Sequence, residues 1–260
     1  MHSEAPTPSS TPLVSVIVPV RNEGPNILPL IAEIRAALAG EAHEIVYVDD
    51  GSADDTPARL AEAATQNPTA PADGLLFHHR HRVSCGQSAA VATGVKAARG
   101  NWIATLDGDG QNDPADIPVL LARARAEDAK GGGPILIAGH RTTRRDGSVK
   151  RIASRLANAI RAWLLRDATP DTGCGLKVFP RVAFLDLPRF DHMHRYLPAL
   201  FIRAGGRVVS VPVNHRPRSR GKSNYGTLDR LWVGIFDLIG VAWLQRRGHR
   251  PELEKLGNNV

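Results

Sequence analysis

The stretch Trp102–Pro114, WIATLDGDGQNDP, begins as a short apolar run and ends in two carboxylates, Asp107 and Asp109, each followed by glycine. The run WIATL has the length and apolar character of a buried strand. Asp-Gly pairs turn the chain tightly, and the segment from Pro114 to Lys130 has helical spacing with proline near its first turn. A strand that runs into an acidic turn and then a helix is the carboxyl end of a strand in an α/β sheet, where such sheets bind ligands. Two carboxylates in one tight loop can converge on a hard cation such as Mg²⁺ or Mn²⁺, with diphosphate oxygens completing the shell. Taken alone, the loop also fits a calcium loop or a polar turn. The further ligands and terminal Glu of an EF-hand are missing.

Upstream, the same strand-then-helix alternation repeats. Leu13–Pro19 (LVSVIVP), Glu44–Val48 (EIVYV) and the weaker Leu75–His78 read as strands. Asn26–Leu38, Asp54–Gln66 and Gln87–Arg99 read as the helices between them. Downstream, Gly131-Gly132-Gly133-Pro134 breaks the helix before Ile135–Ala138 (ILIA). Alternation of this kind predicts βαβ units and a mainly parallel sheet flanked by helices. Val48 runs into Asp49-Asp50-Gly51-Ser52, a second acidic strand end. Beyond residue 140 the pattern is less regular: helices over Lys150–Leu165 and Arg195–Ala204, and strands over Leu176–Phe179 and Arg207–Val213.

Composition narrows the function classes. The chain has 260 residues, 42% hydrophobic and 23% charged, enough to bury a real core. Two cysteines, Cys85 and Cys174, cannot form a disulfide framework and suit a reducing compartment. The net charge of +7 is segregated: residues 1–140 carry 10 Lys+Arg against 17 Asp+Glu, and residues 141–260 carry 23 against 9. An acidic half suits a cation, and an Arg-rich half suits phosphates or an anionic surface. A pI near 9.9 could also mean nucleic acid. Aromatics are only 5%, however, and are not interleaved with the basic residues as stacking platforms, so no nucleic-acid partner is expected. No GxGxxG follows a strand, no His/Cys run has zinc spacing, and no GxSxG elbow occurs. Gly221-Lys222-Ser223 has the tail of a Walker loop without its strand-loop-helix setting.

Residues 1–12 (MHSEAPTPSSTP) read as a disordered lead-in without the features of a signal peptide, so a cytoplasmic chain is expected. Near the other end, Leu231–Leu244 (LWVGIFDLIGVAWL) is apolar apart from Asp237. As a helix it reaches about 21 Å, short of the roughly 30 Å hydrocarbon core. Trp232 and Trp243, with Arg230 before and Arg246-Arg247 after, are flanks typical of a helix lying in a membrane interface. Packing on the protein or in a dimer fits as well.

Three segments taken together carry a resemblance: Val18-Pro19-Val20-Arg21-Asn22-Glu23, Val48–Thr56 and the Asp107 loop, in this order and spacing. They resemble the family-two glycosyltransferases of GT-A fold, and the match covers nearly the whole chain. The narrower resemblance is to dolichol- and polyprenyl-phosphate sugar synthases. Asp107–Pro114 is similar to their metal motif, and Arg218–Tyr225 to their RxxGxSKY signature, with Asn224 where that signature has lysine. The implied fold is α/β, GT-A, with residues 13–224 catalytic and 225–260 a C-terminal interfacial or dimer helix and tail. Within the catalytic part, 13–140 would be the nucleotide and metal half and 141–224 the acceptor half.

The resemblance also implies roles. Pro19, Arg21, Glu23, Asp49, Asp50, Gln87 and Asp107 would bind the nucleotide-sugar, with Gly86-Gln87-Ser88 closing over the base. Asp107, Asp109 and Gln111 would hold Mg²⁺ or Mn²⁺. Arg141, Arg145, Arg151, Arg218, Lys222 and Ser223 would bind the acceptor phosphate. Asp171 would orient the acceptor or act as base, and with Asp107 and Asp109 makes up the catalytic set. The basic run Arg144–Arg151 also fits a solvated loop, Cys174 a packing thiol, and His194 either a structural hydrogen bond or a donor-sugar contact. The implied reaction is inverting, metal-dependent transfer of a hexose from GDP-mannose or a UDP-hexose to a polyprenyl phosphate. The enzyme would sit on the cytoplasmic membrane face, as a possible homodimer or with a separate membrane subunit. The alternatives are a same-fold enzyme acting on a glycan or soluble acceptor, and, more remotely, a basic binding protein.

Overall fold

The computed structural model describes residues 13–67, 74–141, 161–217 and 229–248. Seven strands form one sheet in the order β3-β2-β1-β4-β6-β5-β7. They are β1 (Val14–Val20), β2 (His43–Asp49), β3 (Leu75–Arg80), β4 (Trp102–Thr105), β5 (Ile135–Arg141), β6 (Lys177–Pro180) and β7 (Arg207–Val213). Only β6 runs against its neighbours β4 and β5; the other pairings are parallel. The sheet is therefore mixed and mainly parallel, as the alternating pattern predicts.

The principal helices are α1 (Gly24–Ala37), α2 (Thr56–Thr65), α3 (Gln87–Ala97), α4 (Ile117–Asp128), α5 (Arg181–Leu185), α6 (Leu197–Arg203) and α7 (Asp229–Arg246). Proline opens the first turn of α1, α2, α4 and α6, where its missing N–H costs nothing and its fixed φ favours the helix. A 3₁₀ turn over Pro114–Asp116 precedes α4, and the Asp113 carboxylate caps it by accepting from Ala115 N.

Strand alternation divides the core in two. Val14, Val16, Val18 and Val20 of β1 face a cluster built with Ile27, Ile31 and Ile34 of α1, Leu60 of α2 and Leu120 of α4. Ile17 faces the other side, with Val91 and Val95 of α3, Phe179, Phe201 of α6 and Val241 of α7. Both faces of β1 and β2 are thus covered, which is why these strands are continuous apolar runs. After β3 the chain returns to the far side of β1 and lays down β4. The order reverses between β1 and β4, and the crevice at their carboxyl ends is the topological switch point where such sheets bind ligands.

α7 is both a packed helix and an open one. Val241 and Ala242 are buried in the second cluster, Gln245 Nε2 donates to the carbonyls of Leu165 and Ala199, and His192 meets Asp237 at 2.9 Å. Its opposite face is exposed. No described helix is long and apolar enough to cross a membrane.

Candidate active site

The three strand ends singled out in the sequence meet here. The loops after β1 and β2 are tied together: Asn22 N donates to Ser52 Oγ (2.9 Å), Ala53 N to Asn22 Oδ1 (2.8 Å), and Glu23 N to Thr56 Oγ1 (2.9 Å). Asn22 holds a φ of 57°, in the left-handed region that asparagine tolerates better than most residues. Glu23 accepts from Asn26 Nδ2 at 2.7 Å. Arg21 is exposed, and Pro19 is buried.

The two aspartates after β2 differ. Asp49 accepts Ser52 N at 2.8 Å and pairs with Arg80 at 3.2 Å. Asp50 accepts four bonds of 2.7–2.9 Å, from Ser84 Oγ, His81 Nδ1, Cys85 N and Gly86 N. Burial alone would push its pKa up, but these donors outweigh it and hold the carboxyl below the usual range. Asp50 therefore fastens the 81–86 loop ahead of α3, and all four of its ordinary acceptor positions are used inside the protein. Asp50, His81 and Cys85 also bring three possible ligand atoms within 4.8 Å of one another, the one such group among the described residues. The hydrogen bonds on Asp50 account for that cluster structurally.

Pro19, Gln87 and Asp107 line one cavity with Thr105, Lys177 and His194. Gln87 Nε2 donates to Asp107 Oδ1 at 2.8 Å, and Asp107 N donates to Asn112 Oδ1 at 3.2 Å. Asp109 Oδ1 accepts the Gln111 N–H at 3.1 Å, which closes the turn. Gly108 sits where a Cβ would collide with Val20, so the Asp107–Gln111 loop lies directly on the end of β1. Burial first, and the neighbouring Asp109 charge second, push the Asp107 pKa up; Lys177, Gln87 and Arg141 pull against them.

Lys177 was not among the residues singled out from the sequence. The β4–β6 register sets it opposite Thr105, and its ammonium donates to the Cys174 carbonyl. It is buried, which draws its pKa down against the opposing influence of Cys174, Asp107 and Asp171. The one local signal was a lysine inside the apolar run LKVF. Gly175 lies against Asp107, with no room for a Cβ between them, and its carbonyl accepts Thr105 Oγ1 at 2.7 Å.

Arg141, at the end of β5, holds Asp171 in a fork: Nε to Oδ2 at 2.7 Å and a terminal nitrogen to Oδ1 at 2.8 Å. This pair, expected as an acceptor-phosphate ligand and a base or acceptor-orienting group, is a bidentate salt bridge beside Asp107. The bond to Asp171 is the main reason the Arg141 pKa rises, and Asp107 adds to it. His194 bonds through Nδ1 to Ser88 Oγ at 2.7 Å. Burial, with the charge of Lys177 behind it, brings its pKa down to about 3, so the ring is neutral at physiological pH. Cys174 is a buried thiol whose pKa is pushed up by burial. Arg145, Arg151, Arg218, Lys222 and Ser223 lie outside the described residues, as does the lead-in.

Two carboxylates and a glutamine in one turn make an all-oxygen donor set that fits a hard divalent cation. Asp107, its pKa raised beside Asp109, is the carboxylate such a cation would relieve.

The family model described as "Glycosyl transferase family 2" matches residues 15–187. The dodecaprenyl-phosphate galacturonate synthase of Rhizobium johnstonii is 32% identical over 243 residues, covering 92% of this chain and 69% of that protein. The undecaprenyl-phosphate 4-deoxy-4-formamido-L-arabinose transferase of Shewanella sediminis is 30% identical over 228 residues, covering 87% and 65%. The chain thus spans 65–69% of the length of these two curated relatives. Glucosyl-3-phosphoglycerate synthase from Mycobacterium tuberculosis, solved with Mn²⁺, UDP-glucose and phosphoglyceric acid, is similar with a TM-score of 0.58. That match has 20% identity and covers 90% of this chain and 79% of the other, a likeness of fold.

Proposed function

The chain belongs to glycosyl transferase family 2, and from that premise we propose that it transfers a sugar from a nucleotide-sugar to the phosphate of a polyprenyl carrier, with inversion and a divalent cation. One observation carries the reading: Asp107 and Asp109 lie at the β1–β4 switch point, beside Lys177 and the Arg141–Asp171 pair. A carboxylate pair suited to a divalent cation and basic side chains therefore adjoin, the two placements that two phosphate-bearing substrates call for. The two relatives support the lipid acceptor by their names, and the Mn²⁺ complex supports the cation.

Pro19, Gln87 and Asp107 border the donor site at the β1–β4 crevice, and Asp50 acts on the nucleotide through the 81–86 loop it fastens. Asp107, Asp109 and Gln111 hold Mg²⁺ or Mn²⁺. When bound there, the cation supplies charge neutralisation to the departing nucleoside diphosphate. The acceptor is a phosphate monoester with a second pKa near ~6, already largely dianionic at neutral pH. Its oxygen attacks the anomeric carbon on the face opposite the diphosphate: one C–O bond forms, the bond to the β-phosphate oxygen breaks, and the configuration inverts. No strong base is needed. Asp171, engaged by Arg141 through both oxygens, orients that guanidinium toward the acceptor. Neutral His194 serves as a hydrogen-bonding wall held by Ser88. Arg145, Arg151, Arg218, Lys222 and Ser223 complete the acceptor-phosphate cradle, and the enzyme works at the cytoplasmic membrane face.

The test is direct. The protein is incubated with Mn²⁺ or Mg²⁺, a polyprenyl phosphate and a panel of UDP- and GDP-sugars headed by a nucleotide-linked uronate, and the lipid product is weighed by mass spectrometry. A glycosyl-phosphoryl lipid supports the proposal. Transfer to a soluble acceptor with none to lipid would replace it.

A further inference from the structure

α7 is docked by one side only. Asp237, Leu238, Val241, Ala242 and Gln245 fall on a single arc of the helix and face the protein. The opposite arc presents Phe236, Ile239 and Trp243, exposed to 71%, 58% and 57%, followed by exposed Arg246 and Arg247. At 100° per residue these five lie within about a third of a turn of one another. Ala242 and Arg246, near the edge of that arc, line a pocket with Trp163, Leu164, Arg166 and Ile202. Trp163 stands 81% exposed and Arg166 is exposed beside it. The segment 161–166 therefore borders the Arg246 end of that arc, across a pocket that Arg203 and Gln245 also line. Arg166, Arg246 and Arg247 make no ion pair among the described residues. Asp237, the acidic side chain in the described part of α7, is turned inward to His192.

Two tryptophans, a phenylalanine and an isoleucine beside three arginines, without an outward acid among the described side chains of α7 and the segment 161–166, are complementary to one surface: the interface of an anionic bilayer. There, aromatic and aliphatic groups enter the acyl boundary and guanidiniums meet lipid phosphates. We propose that Trp163, Phe236, Ile239 and Trp243, with Arg166, Arg246 and Arg247, form a two-segment docking face for anionic membrane. This inference rests on the lipid-acceptor reading for its purpose and is tested apart from it.

The full chain is sedimented with vesicles of phosphatidylcholine alone or mixed with phosphatidylglycerol. Two variants are compared, W163S/F236S/W243S and R166E/R246E/R247E, all on surface positions. The expected result is binding to the mixed vesicles, much weaker binding to phosphatidylcholine, and a loss of about tenfold or more in each variant. Turnover of a water-soluble short-chain prenyl phosphate without vesicles stays unchanged in both. Failure of the wild type to bind, or variants that bind as it does, overturns the proposal. So does a W163S/F236S/W243S variant that converts a dimer to monomer while keeping its vesicle binding, because the face would then belong to a second copy. If the vesicle results are as expected but no prenyl phosphate is glycosylated, the acceptor reading fails and the docking face stands.

Discussion

Arg141 and Asp171 are each other's principal partners, with side chains only 15% and 6% exposed. Arg141→Ala leaves the buried carboxylate without its fork, which typically costs about 3–5 kcal/mol. Denaturant unfolding is expected to show that loss, with part of it recovered in the Arg141→Ala/Asp171→Ala double variant. Asp109→Ala removes half of the carboxylate pair, and metal-dependent transfer should fall by at least about a hundredfold in kcat with folding intact. His194 sets a pH dependence of stability. Its folded pKa, about 3, lies below the ordinary value of 6.5, so between these limits the unfolded chain binds a proton that the folded chain does not. Stability from this group is complete above pH 6.5 and declines as pH falls toward 3, by up to about 1.4 kcal/mol per pH unit. Thermal melts from pH 7 down to 4 should show the decline, and His194→Gln should flatten it.

At the scale of elements, the strand ends do the positioning. Gly175, ahead of β6, leaves space for Asp107 that a methyl group would fill. Gly175→Ala is expected to displace that carboxylate, cutting metal-dependent turnover at least about tenfold while moving the melting temperature little. The strands and helices up to β5 were legible because both faces of β1 and β2 are buried, leaving continuous apolar runs, and the segments between them have helical spacing. The end of β5 was not. The local run ILIA stops at Ala138, while pairing with β7 carries the strand on through Gly139↔Val211, His140↔Pro212 and Arg141↔Val213. Only the partner strand supplies that information. Lys177 escaped for the same reason: a lysine in an apolar strand acquires meaning from the register that sets it opposite Thr105. Asp50 shows the converse. The acidic strand end was visible, but its four donors come from residues 81–86, more than thirty positions away, so its loop-fastening role was not.

Across the whole molecule, the segregation of charge becomes spatial. The acidic half contributes Asp107 and Asp109, the Arg-rich half places Arg141 and Lys177 beside them, and further arginines border the open face of α7. Two phosphate-bearing substrates call for the first two placements, and the third is the one the proposed docking face uses. The amphipathic C-terminal helix was legible from its flanking arginines and tryptophans. Which arc packs and which stays open required the tertiary contacts of Asp237, Val241 and Gln245. Everything in this mechanism depends on a cation-assisted diphosphate site at the β1–β4 crevice. Isothermal titration of UDP and GDP into the wild type and Asp109→Ala, with and without Mn²⁺, tests it most directly. One nucleotide should bind per chain, tightened at least about tenfold by Mn²⁺ in the wild type and insensitive to it in the variant. Absence of binding by either nucleotide, or binding indifferent to Mn²⁺ in the wild type, would contradict it.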